Sequence, residues 1–283
     1  MDHVEQWLAD SAFNKSLGVV AAELSDERVV LELPFDEGNT NPGNVLHGGV
    51  AASMIALSAQ AMARTALGED SGPWHTSAVQ VTWLAAAREE GITATARLLR
   101  KGKELAFVDV AVSSESGRDI ARGLVSVRGR MGAAGVELPA AVGDNGAADP
   151  GPMGPFISQI PFAARLGMNV EHMVDSCSRI VMPLAQGNLD AGGGVAEGAV
   201  LALLDTTGAM AAWATTGPGP HKASTPCMQA RVLAPLPAAD LVGYGSLSHS
   251  DGEIFFTHAE VASVADGRVV AVADVNYRIV VGA

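Results

Sequence analysis

The feature that most constrains the fold is an internal repeat, because a constant shift of 149 positions pairs distinctive residues of the two halves of the chain. Toward the end of each half the shift becomes 150, which one inserted residue explains. A period this long is typical of duplicated domains rather than of a solenoid. The pairs include Leu17 with Leu166, Gly38 with Gly187, Gly49 with Gly198, Gln80 with Gln229, Phe107 with Phe256 and, at the shift of 150, Arg128 with Arg278.

The segment between the two copies contains Gly-Pro and Asp-Pro steps, many alanines and no hydrophobic periodicity, which predicts a linker at residues 132–155. We therefore expect a first domain at residues 1–131 and a second at residues 156–283. Each copy shows the same order of predicted elements: an amphipathic segment, one strand, a turn-rich loop, one long apolar helix and three or four strands.

The two predicted long helices, at residues 50–67 and 199–214, are apolar around most of their circumference. A helix of this kind must be buried on nearly all sides. We therefore expect an α+β fold in which an antiparallel sheet wraps around a central helix in each copy. Arg64 and Asp205 lie within these helices, and both helices are rich in small polar residues, so we do not expect them to span a membrane.

Composition excludes several classes of function. The chain is 48% hydrophobic and 17% charged, as expected of a compact globular protein. A net charge of −13 gives no basic stripe that could bind a nucleic-acid backbone. The first ten residues contain Asp2 and Glu5 instead of a basic stretch before an apolar run, which argues against a secretory signal. We expect a cytoplasmic protein without nucleic-acid or membrane partners.

The turn-rich loop of the first copy ends in His47-Gly48-Gly49, directly before the long helix. Glycines let the backbone approach a ligand closely, and the first N–H groups of a helix are unpaired and lie at the positive end of its dipole. The loop therefore predicts an oxyanion site at the start of the helix.

This motif resembles that of the hotdog-fold acyl-CoA thioesterases of the phenylacetate-pathway and 4-hydroxybenzoyl-CoA thioesterase type. The resemblance extends through the helix to a Lys-Gly-Lys turn at residues 101–103, and it covers nearly all of each half. It implies two fused hotdog domains that act on an acyl-CoA substrate, with no metal and no cofactor other than the coenzyme A of the substrate. In that family a Gly N–H polarises the thioester carbonyl, and an Asp or Glu two helical turns later is the base or nucleophile.

The two copies depart from the family pattern in complementary ways. At the acidic position the first copy has Ala56, whereas the second has Asp205. An Asp seven residues into a helix lies about 10 Å from the first turn of its own helix, too far to act on a carbonyl bound there. In place of His47-Gly48-Gly49 the second copy has Ala196-Glu197-Gly198.

Dimers of the family place each carboxylate at the glycine turn of the other subunit. We therefore hypothesise that Asp205 works over the Gly48 N–H, while Ala56 and Glu197 mark a dead site. For Asp205 the structural alternative is hydrogen bonding to Thr206, Thr207 or nearby backbone. For Glu197 we expect a surface or salt-bridged role.

The resemblance also implies roles for other residues. Thr225 matches a residue that holds the attacking water, and Asn41 matches a loop residue near the thioester carbonyl. His47 belongs to the motif, although capping or bracing the loop is an equal alternative for it. Gly49, Arg100, Lys101 and Lys103 are the candidates for contact with coenzyme A, the last three through its phosphates; simple solvation of this turn is the alternative.

The expected reaction is hydrolysis of an acyl-CoA ester by a water that Asp205 activates, or by direct attack of its carboxylate. Two other functions remain open from the sequence: a hotdog enoyl-CoA hydratase or dehydratase, and a non-catalytic acyl-CoA binding protein. The acyl group is not predicted. Assembly of such units into a homo-oligomer is a further expectation from the family.

Overall fold

The computed structural model describes residues 2–129, 137–143 and 146–282, and in these ranges the chain forms two units of similar structure. The first unit contains α1 (Asp2–Asp10), α2 (Ala12–Leu17), β1 (Val20–Leu24), β2 (Val29–Leu33), β3 (Thr40–Asn41), β4 (Val45–Leu46), α3 (Gly48–Leu67), β5 (His75–Trp83), β6 (Ile92–Lys101), β7 (Leu105–Ser114) and β8 (Asp119–Arg128). The second contains α4 (Gly154–Ile157), α5 (Pro161–Leu166), β9 (Asn169–His172), β10 (Cys177–Met182), α6 (Glu197–Thr216), β11 (Lys222–Val232), β12 (Leu241–Ser250), β13 (Ile254–Ser263) and β14 (Val269–Val280).

The described strands outside β3 and β4 form one antiparallel sheet in the order β1-β2-β6-β7-β8-β5-β11-β14-β13-β12-β10-β9. The two units join edge to edge through β5 and β11. In this pairing Gln80 lies opposite Gln229, its counterpart in the repeat. The seam therefore lies on a pseudo-twofold axis that relates the two units.

The central helices α3 and α6 pack against each other at this axis, on the inner face of the sheet. Small residues allow the close approach: a Cβ on Gly49 would lie 2.6 Å from the Cβ of Ala202, and a Cβ on Gly198 would lie 2.8 Å from that of Ser53. The Ser53 hydroxyl donates to the carbonyl of Gly198 at 2.9 Å, which pairs a polar group that the helix contact buries. The N-terminal turns of the two helices therefore lie near each other.

The sheet buries the apolar face of every central strand against these helices. In β7 the buried residues alternate along the strand, as in a sheet with one covered face. Helix α3 is long and apolar enough to cross a membrane by length and composition, but 72% of its apolar window is buried inside the protein. It is the core helix of the first unit.

The structure confirms the α+β class and the helix wrapped by a sheet, with three differences from the sequence-based expectation. Helices α3 and α6 each begin two residues earlier than predicted. The short edge strands β1 and β9 were not predicted. The described part of the linker packs along the second unit, where the Glu260 carboxylate accepts the N–H groups of Val142 and Gly143 at 2.7 and 2.8 Å. The predicted boundary at residues 131–132 lies outside the described residues.

Candidate active site

The seam between the units brings Asp205 of α6 to the first residue of α3. A Cβ on Gly48 would lie 3.0 Å from Asp205 Oδ2. Asp205 is only 4% exposed, although it carries a carboxyl group. The acid and the glycine turn therefore come from different copies of the repeat and meet at one site.

Burial and one hydrogen bond set the acidity of Asp205. Burial disfavours the charged form and raises its pKa to about 6, while the hydrogen bond from Thr225 opposes this shift. The Thr225 hydroxyl, on β11, donates to Asp205 Oδ1 at 2.8 Å. This leaves Oδ2 on the side of Gly48. Thr225 is thus the partner of Asp205, rather than Thr206 or Thr207 of the same helix.

His47 caps helix α3. Its Nδ1 accepts the N–H of Gly49 at 2.9 Å, and its ring lies 5.1 Å from the ring of Phe162. Burial lowers the pKa of His47 to about 4, so the imidazole is neutral at physiological pH. These contacts match the structural alternative for His47, in which it holds the loop rather than transferring protons.

The N–H of Gly48, at the start of α3, is available to donate a hydrogen bond to a ligand. The Gly49 N–H is used by His47, and Val50 N–H donates to the His47 carbonyl at 3.0 Å. Among the residues described, none accepts a hydrogen bond from Gly48 N–H. The Gly48 carbonyl is fixed by Trp83 Nε1, which donates to it at 3.2 Å. The loop therefore presents one amide to a ligand in a defined orientation.

A cavity of about 720 Å³ opens at this point. It is large enough for a drug-sized ligand. It brings together the sequence-predicted residues Asn41, His47, Gly48, Asp205 and Thr225.

The remaining candidates lie elsewhere. Gly49 packs against Ala202 and is not among the described residues that line the cavity. Arg100, Lys101 and Lys103 are not among them either, and Lys101 Nζ donates to the Ala66 carbonyl at the C-terminal end of α3, at 2.6 Å. Their proposed contact with coenzyme A stays a prediction.

The pseudo-twofold axis relates the Asp205 site to a second position, around Glu197 and Ala56, where the residues differ. We call it the rebuilt position. Thr76 N–H donates to both carboxylate oxygens of Glu197, at 2.9 and 3.2 Å, and burial raises the pKa of Glu197. A Cβ on Gly198 would lie 2.7 Å from the ring of Phe13, so this glycine is packed as tightly as its counterpart Gly49. Glu197 is half-buried, and its carboxylate is held by the backbone N–H of Thr76, so the expectation of a free surface role is wrong. The nearby Arg64 guanidinium favours the charged form of this carboxylate.

Two larger side chains fill the interior of the rebuilt position: Gln60 and Trp74 stand where the repeat has Ala209 and Ala223. Arg64 stands where the repeat has Trp213. The Arg64 guanidinium lies between two indole rings, 3.9 Å from the Trp7 centroid and 4.3 Å from that of Trp74. The interior cavity that remains is about 50 Å³, and outside it a cleft of about 590 Å³ opens. The large cavity of the Asp205 site therefore arises partly because Ala209 and Ala223 are small.

Sequence reasoning missed Tyr277, which lines the cavity together with Trp213. Trp213 Nε1 donates to the Tyr277 hydroxyl at 3.0 Å, and burial raises the pKa of Tyr277, so it remains a phenol. Trp213 follows Asp205 by eight residues on α6, so both face the same side of the helix. That spacing was the available signal, whereas the position of Tyr277 depends on the sheet register.

Comparison with known proteins gives consistent results. The family described as "Acyl-CoA thioesterase N-terminal domain" matches residues 36–128. Mouse acyl-coenzyme A thioesterase 13 is 31% identical over 108 residues, which make up 37% of this chain and 75% of the mouse protein. The human protein of the same name is 30% identical over 115 residues, 39% of this chain and 80% of that protein.

Two solved structures share the fold over almost the whole chain. A TesB protein of Mycobacterium avium subsp. paratuberculosis superposes with a TM-score of 0.67 at 13% identity, covering 95% of this chain and 99% of that one. The acyl-CoA thioesterase II TesB2 of Mycobacterium marinum superposes with a TM-score of 0.67 at 14% identity, covering 96% and 98%. Both similarities extend over the two units together.

Proposed function

The chain belongs to the hotdog-fold acyl-CoA thioesterases, and from this premise we propose that it hydrolyses acyl-CoA esters at a single composite site between its two units. The observation that carries the proposal is the approach of Asp205 Oδ2 to Gly48 across the seam. In this arrangement a thioester carbonyl bound at the Gly48 N–H lies next to a buried carboxylate.

In the proposed mechanism water attacks the carbonyl carbon while Asp205 takes its proton. The Gly48 N–H, at the positive end of the α3 dipole, stabilises the charge that develops on the carbonyl oxygen. The C–S bond then breaks, and the proton held by Asp205 goes to the sulfur of coenzyme A. A pKa of about 6 leaves Asp205 mostly ionised at neutral pH and a stronger base than an exposed Asp. In a direct attack, Oδ2 would form a bond to the carbonyl carbon while the C–S bond breaks and coenzyme A leaves as the thiolate, and water would then cleave the acyl anhydride to the free acid and the Asp205 carboxylate.

Thr225 and Trp83 act as positioning residues. The Thr225 hydroxyl fixes the Asp205 carboxylate through Oδ1, and Trp83 fixes the peptide plane before Gly49 by donating to the Gly48 carbonyl. The geometry favours hydrolysis over hydration, because a hydratase needs an acid-base pair of Asp and His. The Nδ1 of His47 accepts the N–H of Gly49, and His47 does not pair with Asp205.

The repeat offers a matched test. Asp205→Asn removes the base while keeping the shape, and Glu197→Gln makes the same kind of change in the rebuilt position. We expect Asp205→Asn to lower kcat at least about 100-fold on a panel of acyl-CoA esters, and Glu197→Gln to stay near wild type. Circular dichroism and Tm would verify that both variants fold.

Other outcomes would redirect the assignment. An active Asp205→Asn variant together with an inactive Glu197→Gln variant would move the site to the other position. Turnover of enoyl-CoA without thioester cleavage would favour a hydratase. Tight binding of acyl-CoA by the wild-type protein with no turnover of any ester would favour a binding protein.

A further inference from the structure

The residues that line the Asp205 cavity include two groups that come from different elements and differ in chemistry. We call the first group the apolar arm, formed by Leu46, Ile120, Met153, Ile157 and Ile160, and the second the polar arm, formed by Ser224, Tyr277 and Arg278 with Trp213 beside them. Asp205 and Arg278 are the only Asp, Glu, Lys or Arg side chains among the described residues that line the cavity. The apolar arm therefore carries no charge.

Backbone hydrogen bonds hold the apolar arm together. Leu84 and Ala85 donate to the carbonyl of Ile120 at 2.8 and 3.3 Å, and Leu46 donates to the carbonyl of Ala87 at 2.9 Å. The remaining wall comes from α4 and the residues that flank it, at the start of the second unit. Ile157 is the last residue of α4, lines the cavity and is 7% exposed.

The polar arm is built from neighbouring residues of β11 and β14. Ser224 and Arg278 are paired across these strands. The Tyr277 hydroxyl accepts from Trp213 Nε1 and keeps its own proton for another acceptor. The Arg278 side chain is 49% exposed and pairs with Glu253, so this arm reaches the surface with a cation at its mouth.

The reacting centre lies between the two arms. Gly48 follows Leu46 by two residues, so the apolar arm begins on the side of the glycine turn. Thr225 follows Ser224 on β11, so the polar arm begins on the side of the Thr225–Asp205 hydrogen bond. A thioester bound at this centre has its acyl group in one arm and its sulfur in the other.

We infer that the acyl group lies in the apolar arm and that coenzyme A leaves through the polar arm, so that the enzyme takes uncharged acyl groups whose size Ile157 limits. This inference rests on the proposed function. Coenzyme A carries amides that hydrogen-bond and phosphates that need a cation and access to water, which the polar arm supplies. A carboxylate at the end of an acyl chain would be buried unpaired in the apolar arm.

The first experiment tests the acyl assignment. The wild-type protein is assayed with saturated acyl-CoA esters of increasing length and with butyryl-CoA against succinyl-CoA, which have equally long acyl chains. We expect kcat/KM for succinyl-CoA to be at least about 100-fold lower. Equal rates for the two esters would overturn the inference, because they would show that the site accepts a charged acyl group.

Substitution of Ile157 tests the size limit in both directions. Ile157→Ala is expected to shift the preference toward longer chains, and Ile157→Phe toward shorter ones, with the long-to-short ratio of kcat/KM changing about 10-fold. Phe156→Ala is the control, since Phe156 is on the same turn but is 70% exposed. A length profile unchanged in both Ile157 variants would overturn the assignment.

Arg278→Gln tests the coenzyme A arm. We expect KM to rise by the same factor, at least about 10-fold, for every acyl length with coenzyme A esters, and to stay unchanged with N-acetylcysteamine thioesters, which lack the phosphates. Arg128→Gln, the counterpart of Arg278 in the repeat, is the matched control. An unchanged KM for coenzyme A esters, or a change that depends on acyl length, would overturn this half of the inference.

These results separate the inference from the proposed function. A wild-type protein that cleaves no thioester contradicts the proposed function itself. A wild-type protein that cleaves thioesters, with variants that leave length profile and KM unchanged, contradicts only the assignment of the arms.

Discussion

Asp205 and Gly48 face each other across the seam, so closely that a Cβ on Gly48 would lie 3.0 Å from the carboxylate oxygen Oδ2. Their positions in the chain are far apart, and α6 could not bring Asp205 to its own first turn. The contact requires both units in their observed pairing. Substitutions on either side of the seam should therefore affect the same chemical step.

The pH dependence of hydrolysis should report the ionisation of Asp205. Because burial raises its pKa to about 6, kcat/KM should increase with pH through this value and level off above it. At pH 5 we expect about one tenth of the plateau rate. The Glu197→Gln variant should show the same increase of kcat/KM with pH. A rate that is flat between pH 5 and 7 would show that another group is the base.

Asp205→Asn should stabilise the fold at neutral pH. The folded state binds the Asp205 proton more tightly than the unfolded chain, so the free energy of unfolding decreases as pH rises from the ordinary pKa of 3.8 to about 6. The whole loss is of the order of 3 kcal/mol, about two pKa units. The variant should therefore have a higher Tm than wild type at pH 8 and nearly the same Tm at pH 4. An equal difference at both pH values would contradict a buried, ionised Asp205.

Loss of the Thr225 hydroxyl should impair catalysis without removing it. The hydrogen bond from Thr225 lowers the pKa of Asp205, so Thr225→Val should move the acid limb to higher pH and lower kcat at pH 7 about 10-fold. Thr225→Ser should retain both properties. Thr76→Val, at the repeat-related position, is the control and should leave the pH profile unchanged. A profile that does not move in Thr225→Val would leave the residue with a purely structural role.

Two adjacent glycines should differ in what an added methyl group does. In Gly48→Ala the new Cβ would contact Asp205 and Trp83, so we expect activity to be lost with little change in Tm. In Gly49→Ala the Cβ would lie 2.9 Å from the backbone of Ala202, which should lower stability by about 1–3 kcal/mol. Chemical denaturation and steady-state kinetics on both variants separate the two effects. Equal loss of stability in both would argue that Gly48 is needed for packing alone.

The repeat made much of the site accessible from sequence. The shift of 149 positions places Ala56 opposite Asp205 and Glu197 opposite Gly48, and the helix rise excludes a site within one copy. These two arguments need only chain positions and the geometry of an α-helix. They indicate that the two parts come from different copies, and the dimer arrangement that the family resemblance implies then predicted a site at the seam.

Features that depend on sheet register and side-chain size were not predicted. Strands β1 and β9 are short and lie at the edges of the sheet, where the hydrophobic alternation is weak. Tyr277 reaches the cavity only through the pairing of β14 with β11. The filling of the rebuilt position by Gln60 and Trp74 was visible in the alignment of the repeat, but its effect on cavity volume required coordinates.

The fusion of the two copies also changes how the gene can evolve. In a dimer of identical subunits, every codon change alters both symmetry-related positions, so losing an acid in one place means losing it in both. Here Ala56 and Glu197 stand in separate copies of the ancestral sequence, and neither change reaches the working centre. Selection can act on each copy independently, so in each copy the residue at the rebuilt position is free to diverge while its counterpart in the other copy is held by the working centre.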